Sequence, residues 1–253
     1  MLKIILLLFY ISSLYGLSGL ELAIKMQERP KPNDLKSENT MILTNKKGKK
    51  KTSKLISKSK DDSKKQMIWF LEPKDDFGIS FLKIEHEDED DYMNMWLPGF
   101  KKFRRISSQK KTDSFMGSDL SFEDMTNRNV NEYEYTLLEE NSACDDIEAG
   151  DECYKLMSKP KDTDSEYSHH ITWVTKDNFL SVMEESYDKN GDLLKKKLIE
   201  FNKIEDYYVM NKLFVHNVQK NHQTSLKIDK ITINLGYTDD IFHTKSLKRI
   251  PQY

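Results

Sequence analysis

Short runs of strand-forming residues follow one another along this 253-residue chain, with a turn sequence roughly every 8–12 residues. That rhythm constrains the fold more than any single motif, because it leaves little chain for helices and favours one large antiparallel sheet. Thr40–Asn45 leads through Lys46-Lys47-Gly48 into Thr52–Ser59. Gln66–Leu71 is apolar on both faces and reads as a central strand covered on both sides. Pro73–Phe77 turns into Gly78–Glu85, and Tyr92–Leu97 faces Phe103–Ser107 across Pro98-Gly99. Glu132–Glu139 alternates, with Tyr133, Tyr135 and Leu137 on one face. Strands at Cys153–Lys159, His169–Val174, Phe179–Tyr187, Leu194–Ile204, Val209–Val218 and Thr224–Leu235 complete the series. A sheet this wide has to curl, close or be covered.

Helices are few. Leu20, Ala23, Ile24 and Gln27 share a face of a first helix that ends at Glu28-Arg29-Pro30, with Pro30–Glu38 as a linker. Ser121-Phe122-Glu123-Asp124 has the form of a capping box and predicts a short helix to about Asn127. A last short helix is expected at Asp239–Phe242. No linker-like stretch or internal repeat divides the chain, so residues 19–253 read as a single domain.

Hydrophobic residues make up 37% and charged residues 32%, enough for a core beneath a polar surface. Lys+Arg 40 against Asp+Glu 42 gives a net charge of -2, which argues against a nucleic-acid binder. Charge is instead local. Lys46–Lys65 is basic, Glu85–Asp91 acidic and Lys101–Lys111 basic. The first of these is either a solvated hairpin or a contact for anionic head groups.

Residues 1–18 read as a secretory signal, with Lys3 before the apolar run Ile4–Leu14 and small residues at Gly16 and Ser18. The run is short for a membrane span. In the oxidising compartment this implies, Cys144 and Cys153, the two cysteines of the chain, can close a small disulfide loop around Asp145–Glu152.

The densest motif is Met95–Met125. It contains Trp96-Leu97-Pro98, then Arg104-Arg105-Ile106, then Ser114-Phe115-Met116-Gly117-Ser118-Asp119 and Ser121-x-Glu123-Asp124. This order resembles the segment W-L/Y-x-P…R-R-I…S-F-M-G-S-D-x-S-x-E-D of the outer-membrane lipoprotein-sorting protein family, relatives of the periplasmic carrier LolA. Shorter matches extend it over nearly the whole chain: Met41-Ile42-Leu43 with Asn45 and Gly48, Phe70-x-x-Pro73 with Gly78 and Phe81-Leu82, Trp173-Val174, Tyr187-Asp188 with Gly191, and Phe242 with Leu247.

The resemblance implies a half-open, LolA-like β-barrel with short lid helices over an apolar cavity. It further implies a periplasmic protein that binds lipid or lipoprotein acyl chains without a cofactor and without catalysis. Expected partners are an inner-membrane transporter, such as one of the resistance-nodulation-division type, and an outer-membrane acceptor. The alternative is an accessory protein of such an exporter or envelope complex that transports nothing and has a filled core.

On this reading Trp69, Leu71, Phe81, Met93, Met95, Leu97, Tyr133, Tyr135, Leu137 and Trp173 are expected to line the cavity, or else to pack a closed core. Methionines suit a lining that adapts to varied cargo. Arg104 and Arg105 point to opposite faces of a strand, so one is available to latch onto Asp119, Glu123 or Asp124 of the lid. The same pairing would serve equally as a static ion pair. Phe115 and Met116, beside Gly117, plug the cavity mouth or belong to the core.

Enzymatic signatures are missing: the chain has no G-x-S-x-G, P-loop or H-E-x-x-H. His169-His170 diverge on a strand and make poor metal ligands, and Asp188-Lys189-Asn190-Gly191 is a hairpin turn rather than a calcium loop.

Overall fold

The computed structural model describes residues 16–144 and 152–251. The expected signal segment lies outside these apart from its last three residues, and so does most of the acidic segment between the two cysteines.

A single sheet of 13 strands dominates the molecule. In chain order these are β1 (Asp34–Thr44), β2 (Lys50–Lys60), β3 (Lys65–Glu72), β4 (Ser80–Ile84), β5 (Tyr92–Leu97), β6 (Lys102–Ile106), β7 (Tyr133–Ala143), β8 (Glu152–Pro160), β9 (Tyr167–Thr175), β10 (Ser181–Asp188), β11 (Leu193–Ile204), β12 (Tyr207–Asn217) and β13 (His222–Ile233). Their order in the sheet is β6-β5-β4-β3-β2-β1-β13-β12-β11-β10-β9-β8-β7, with every neighbouring pair antiparallel. Two meanders therefore meet at the β1–β13 pair, and β6 and β7 are the free edges. The 107–132 segment runs from one edge to the other across the concave side.

Alternation along the strands sorts the side chains. Ile68 and Phe70 of β3 face the concave side with Leu55, Phe81, Met93 and Met95, while Met67, Trp69 and Leu71 face the convex side with Ile56 and Leu82. Both faces of β3 are buried, as its apolar run predicted. The C-terminal chain covers the convex side, where Phe242 and Leu247 complete a second core.

The helix α1 (Gly19–Gln27) starts with a reciprocal cap between Ser18 and Glu21. It lies against the concave side of β7 and β8, where Leu22 and Ala23 pack with Leu156 and Val174. The inward face thus comprises Gly19, Leu22 and Ala23 and not the expected Leu20 and Ile24, which are exposed. Gly19 is required there, because a Cβ would sit 2.7 Å from the Leu137 backbone nitrogen. The expected linker Pro30–Glu38 is also shorter than anticipated, since β1 already begins at Asp34. The Asp34 carboxylate explains this early start by accepting the backbone N–H groups of Leu235, Gly236 and Tyr237 beyond β13. Cys144 and Cys153 form the expected disulfide, which ties edge strand β7 to β8.

Candidate functional site

The 107–132 segment is a lid, although its secondary structure is slight. Ser121 and Asp124 form the expected reciprocal cap, but only one 3-10 turn, Glu123–Met125, follows. Other interactions hold the lid in place. Phe115 and Phe122 insert into the apolar part of the concave face, with ring centroids 5.2 and 5.8 Å from Phe81 and 5.8 Å from each other. A positive φ at both Met116 and Gly117 bends the chain directly after Phe115, so that it can enter the barrel and leave again.

Beyond the phenylalanines the tethers are polar. The Asp119 carboxylate accepts from the Thr224 hydroxyl at 2.7 Å and meets the His222 ring at 2.8 Å, while the Asp119 N–H donates to the Thr224 oxygen at 2.8 Å. Asp124 lies deeper. It accepts from the ammonium groups of Lys197 at 2.6 Å and Lys195 at 2.9 Å, and from the Tyr167 hydroxyl at 2.8 Å. Arg128, further along the lid, holds Glu184 with two hydrogen bonds of 2.5 and 2.8 Å. Glu184 also accepts from Lys197 at 3.1 Å, and Glu166 accepts from Lys195 at 3.1 Å. Formal charge cancels within this group, because Asp124, Glu184 and Glu166 face Lys195, Lys197 and Arg128.

Burial alone would raise the Asp124 carboxyl, but Lys197 and Lys195 hold it well below its ordinary value. Glu184 is likewise held low against burial, by Arg128 and Lys197. His170, with 0% exposure, is pushed well below the usual imidazole value by burial and then by Arg128. It is therefore neutral, with Nδ1 2.9 Å from the Ser186 hydroxyl.

Between these tethers and the centre of the sheet the lid leaves a cavity of about 410 Å³. The space exists because neighbouring concave positions on β1 and β2 are small: Ser37, Ser57 and Ser59. Its apolar wall comprises Met41, Leu55, Ile68, Leu213, Leu226 and Ile228, and Leu120 and Met125 of the lid form its cover. Arg29, Lys31 and Asp62 stand at one end, with Lys31 and Asp62 ion-paired. Lys83 is fully buried at the wall and donates to the Met125 carbonyl at 2.7 Å and to Glu85, so it fixes the far end of the lid. Burial pulls the Lys83 ammonium below its usual value. A space of this size and lining can bind an apolar chain. Among its hydroxyls, that of Ser63 donates to Ser59 at 3.3 Å.

The residues expected to line the cavity are divided by the sheet. Phe81, Met93, Met95 and Leu97 belong to the concave apolar core, beneath Phe115 and Phe122. Tyr133, Tyr135 and Leu137 face the concave side of edge strand β7, where Tyr135 and Leu137 pack near α1. Trp69 and Leu71 lie on the convex side under Phe242 and Leu247, and Trp173 lies with the disulfide. Those three have the parity of the wrong face. None of the ten lines this cavity, whose wall comes mainly from β1, β2, β12 and β13, although Tyr135 lines a neighbouring pocket beside α1, and Met93 and Tyr133 line another.

The arginine latch is corrected as well. Arg104 is half exposed and 3.7 Å from Asp113, and Arg105 stacks over the Tyr92 ring at 4.0 Å on the other face. Both sit on the outermost strand, beyond reach of the lid's buried carboxylates. Asp119 and Asp124 bond to β13 and β11 instead, while Glu123 accepts from the Ser165 hydroxyl and the Glu166 N–H. Phe115 and Met116 pack in the core around the lid, Phe115 fully and Met116 at its margin. Lys195, Lys197, Arg128 and Glu184 had not been anticipated. The usable signal was the spacing of Lys195 and Lys197, two apart and hence on one face, which the intervening Lys196 disguised.

An open antiparallel barrel with its two edges bridged by a lid is the LolA-like architecture, and the solved structures bear this out. A LolA superfamily protein of Nitrosomonas europaea superposes with a TM-score of 0.71 at 16% identity, over 91% of this chain and 100% of that one. A domain from Vibrio parahaemolyticus, described as a candidate outer membrane lipoprotein-sorting protein, gives 0.85 at 27% identity, over 91% and 98%. A DUF1329 family protein of Desulfovibrio piger gives 0.83 at 31% identity, over 90% and 97%. A family model described only as an uncharacterized protein matches residues 62–249. The chain belongs to the DUF1329 family. No curated protein matches it.

Proposed function

We propose that the protein is a periplasmic carrier that holds an acyl chain of a lipid or lipoprotein beneath the lid and passes it toward the outer membrane. The observation that carries this reading is the unfilled apolar cavity under a lid held by a few separable tethers. Burying ten methylenes there would contribute about 8 kcal/mol, before the cost of ordering the chain and moving the lid. Larger cargo would have to displace Phe115 and Phe122 and so expose the Met93 and Met95 surface beneath them. The disulfide suits an oxidising compartment, and the lipoprotein-sorting description of the Vibrio relative points the same way. A carrier of this kind only equilibrates its cargo, so direction must come from a transporter on one side and an acceptor on the other. A transporter of the resistance-nodulation-division type in the inner membrane and an acceptor at the outer membrane fit that requirement.

One observation favours a second reading, that of an accessory protein without cargo: aromatic side chains of the lid already cover the apolar surface around Phe81. A fluorescent acyl probe separates the two. The carrier reading expects saturable binding, weakened at least tenfold by Ile228→Trp, which fills the cavity from its half-buried wall. No binding, or binding unaffected by Ile228→Trp, would favour the accessory protein.

A further inference from the structure

The fold gathers the local charge runs at opposite ends of its central strands. The β1–β2, β3–β4, β5–β6 and β12–β13 turns lie at one end, and the β2–β3, β4–β5 and β11–β12 turns at the other. The second end is acidic, with Asp61, Asp62, the run Glu85–Asp91, Glu205 and Asp206. The first is basic. Its β1–β2 turn exposes Lys46, Lys47 and Lys49, its β3–β4 turn Lys74, and its β5–β6 turn Lys101 and Lys102. The C-terminal chain adds Lys248, over the Trp96 ring at 4.5 Å, and Arg249. None of these cations forms an ion pair among the described residues. Glu72, Asp75 and, on the β10–β11 turn, Asp192 are exposed at the same end but are outnumbered, and Asp76 is already paired with Lys51 at 2.6 Å.

Two aromatic side chains project from this basic end. Phe100 is 75% exposed at the tip of the β5–β6 turn, and Phe77 is 53% exposed on the β3–β4 turn. The turns touch, since a Cβ at Gly78 would meet Pro98 at 3.5 Å. A short 3-10 turn at Pro98–Phe100 and a left-handed Lys101 hold the tip in shape. Exposed rings on a fixed turn, within a rim of unpaired lysines, complement an apolar layer beneath anionic groups.

We infer that this end docks on an anionic lipid bilayer, with Phe77 and Phe100 entering the interface and the lysines contacting phosphate head groups. The polar mouth lined by Asp119, Lys195 and His222 opens at this end, so docking brings the lid's tethers to the membrane. The inference does not depend on what the cavity holds.

Flotation with phosphatidylglycerol-containing and pure phosphatidylcholine vesicles tests it. The expected result is binding at least tenfold stronger to the anionic vesicles and weakened by salt. Phe77→Ser with Phe100→Ser should reduce it tenfold or more, and Lys101→Glu with Lys102→Glu should abolish the anionic preference. Asp88→Ser, at the acidic end, and the cavity-filling Ile228→Trp should bind vesicles like the parent, which separates docking from cargo. Phe100→Trp, a substitution on an exposed turn, should show a blue-shifted emission on the anionic vesicles. Equal binding to both vesicle types, no binding, or unchanged binding by the substituted proteins would overturn the inference. So would loss of a protein partner, with no vesicle bound, in the phenylalanine variants.

Discussion

Asp124 shows how a single side chain can hold a segment that has almost no secondary structure. Its oxygens satisfy Lys195, Lys197 and Tyr167 within the barrel. Asp124→Asn should therefore leave two ammonium groups undercompensated and destabilise the protein by about 3–5 kcal/mol, read by urea denaturation. Arg104→Ala should change stability by less than about 0.5 kcal/mol, since its ion pair with Asp113 is long and exposed. His170 sets a pH dependence of the opposite origin. Burial keeps it neutral in the folded protein, whereas the unfolded chain takes up a proton near pH 6.5. Stability should therefore fall as pH drops below about 6.5, by at most about 1.4 kcal/mol per unit. His170→Gln should flatten thermal melting profiles between pH 7 and 5; an unchanged slope would contradict the assignment. The depressed Asp124 and Glu184 carboxyls stabilise above the unfolded carboxylate range and lose that contribution as pH falls through about 4 and below, so the His170 loss sets in first.

The elements differ in how far the sequence disclosed them. Strands were legible because a period of two in Tyr133, Tyr135 and Leu137, or the doubly apolar Gln66–Leu71, follows directly from pleating. The turn at Asp188–Gly191 was legible for the same local reason. Which face of each strand turns inward was not, because both sides of β3 are apolar and only the covering C-terminal chain distinguishes Trp69 from Phe70. Nor were the partners of the lid, because Asp124 and Lys197 are 73 positions apart. The capping-box pattern at Ser121 also overstated its helix, since tertiary contacts of Phe122 and Asp124 win over helical propagation after one turn. As an element, the lid can be tested through its plug. Phe115→Ala should cost about 3–5 kcal/mol by urea denaturation. It should also enlarge the space under the lid, so the acyl probe should bind the variant more tightly. Weaker binding together with the lost stability would mean that Phe115 supports the cavity and does not occlude it.

At the scale of the whole molecule, two meanders meeting at β1 and β13 make a barrel that is open along one side and closed by its own connection. The interior is divided: apolar and plugged beside β3–β5, ionic and tied beside β9–β11, and unfilled between them where serines replace larger side chains. That division accounts for the modest size of the apolar cavity in a molecule with so much concave surface. The most direct measurement is native mass spectrometry of the protein purified under gentle conditions from its own envelope. The account predicts added mass that is removed by solvent extraction, identified as a lipid or acylated species, and diminished in Ile228→Trp. A bare protein mass, unchanged after incubation with envelope lipids, would contradict it.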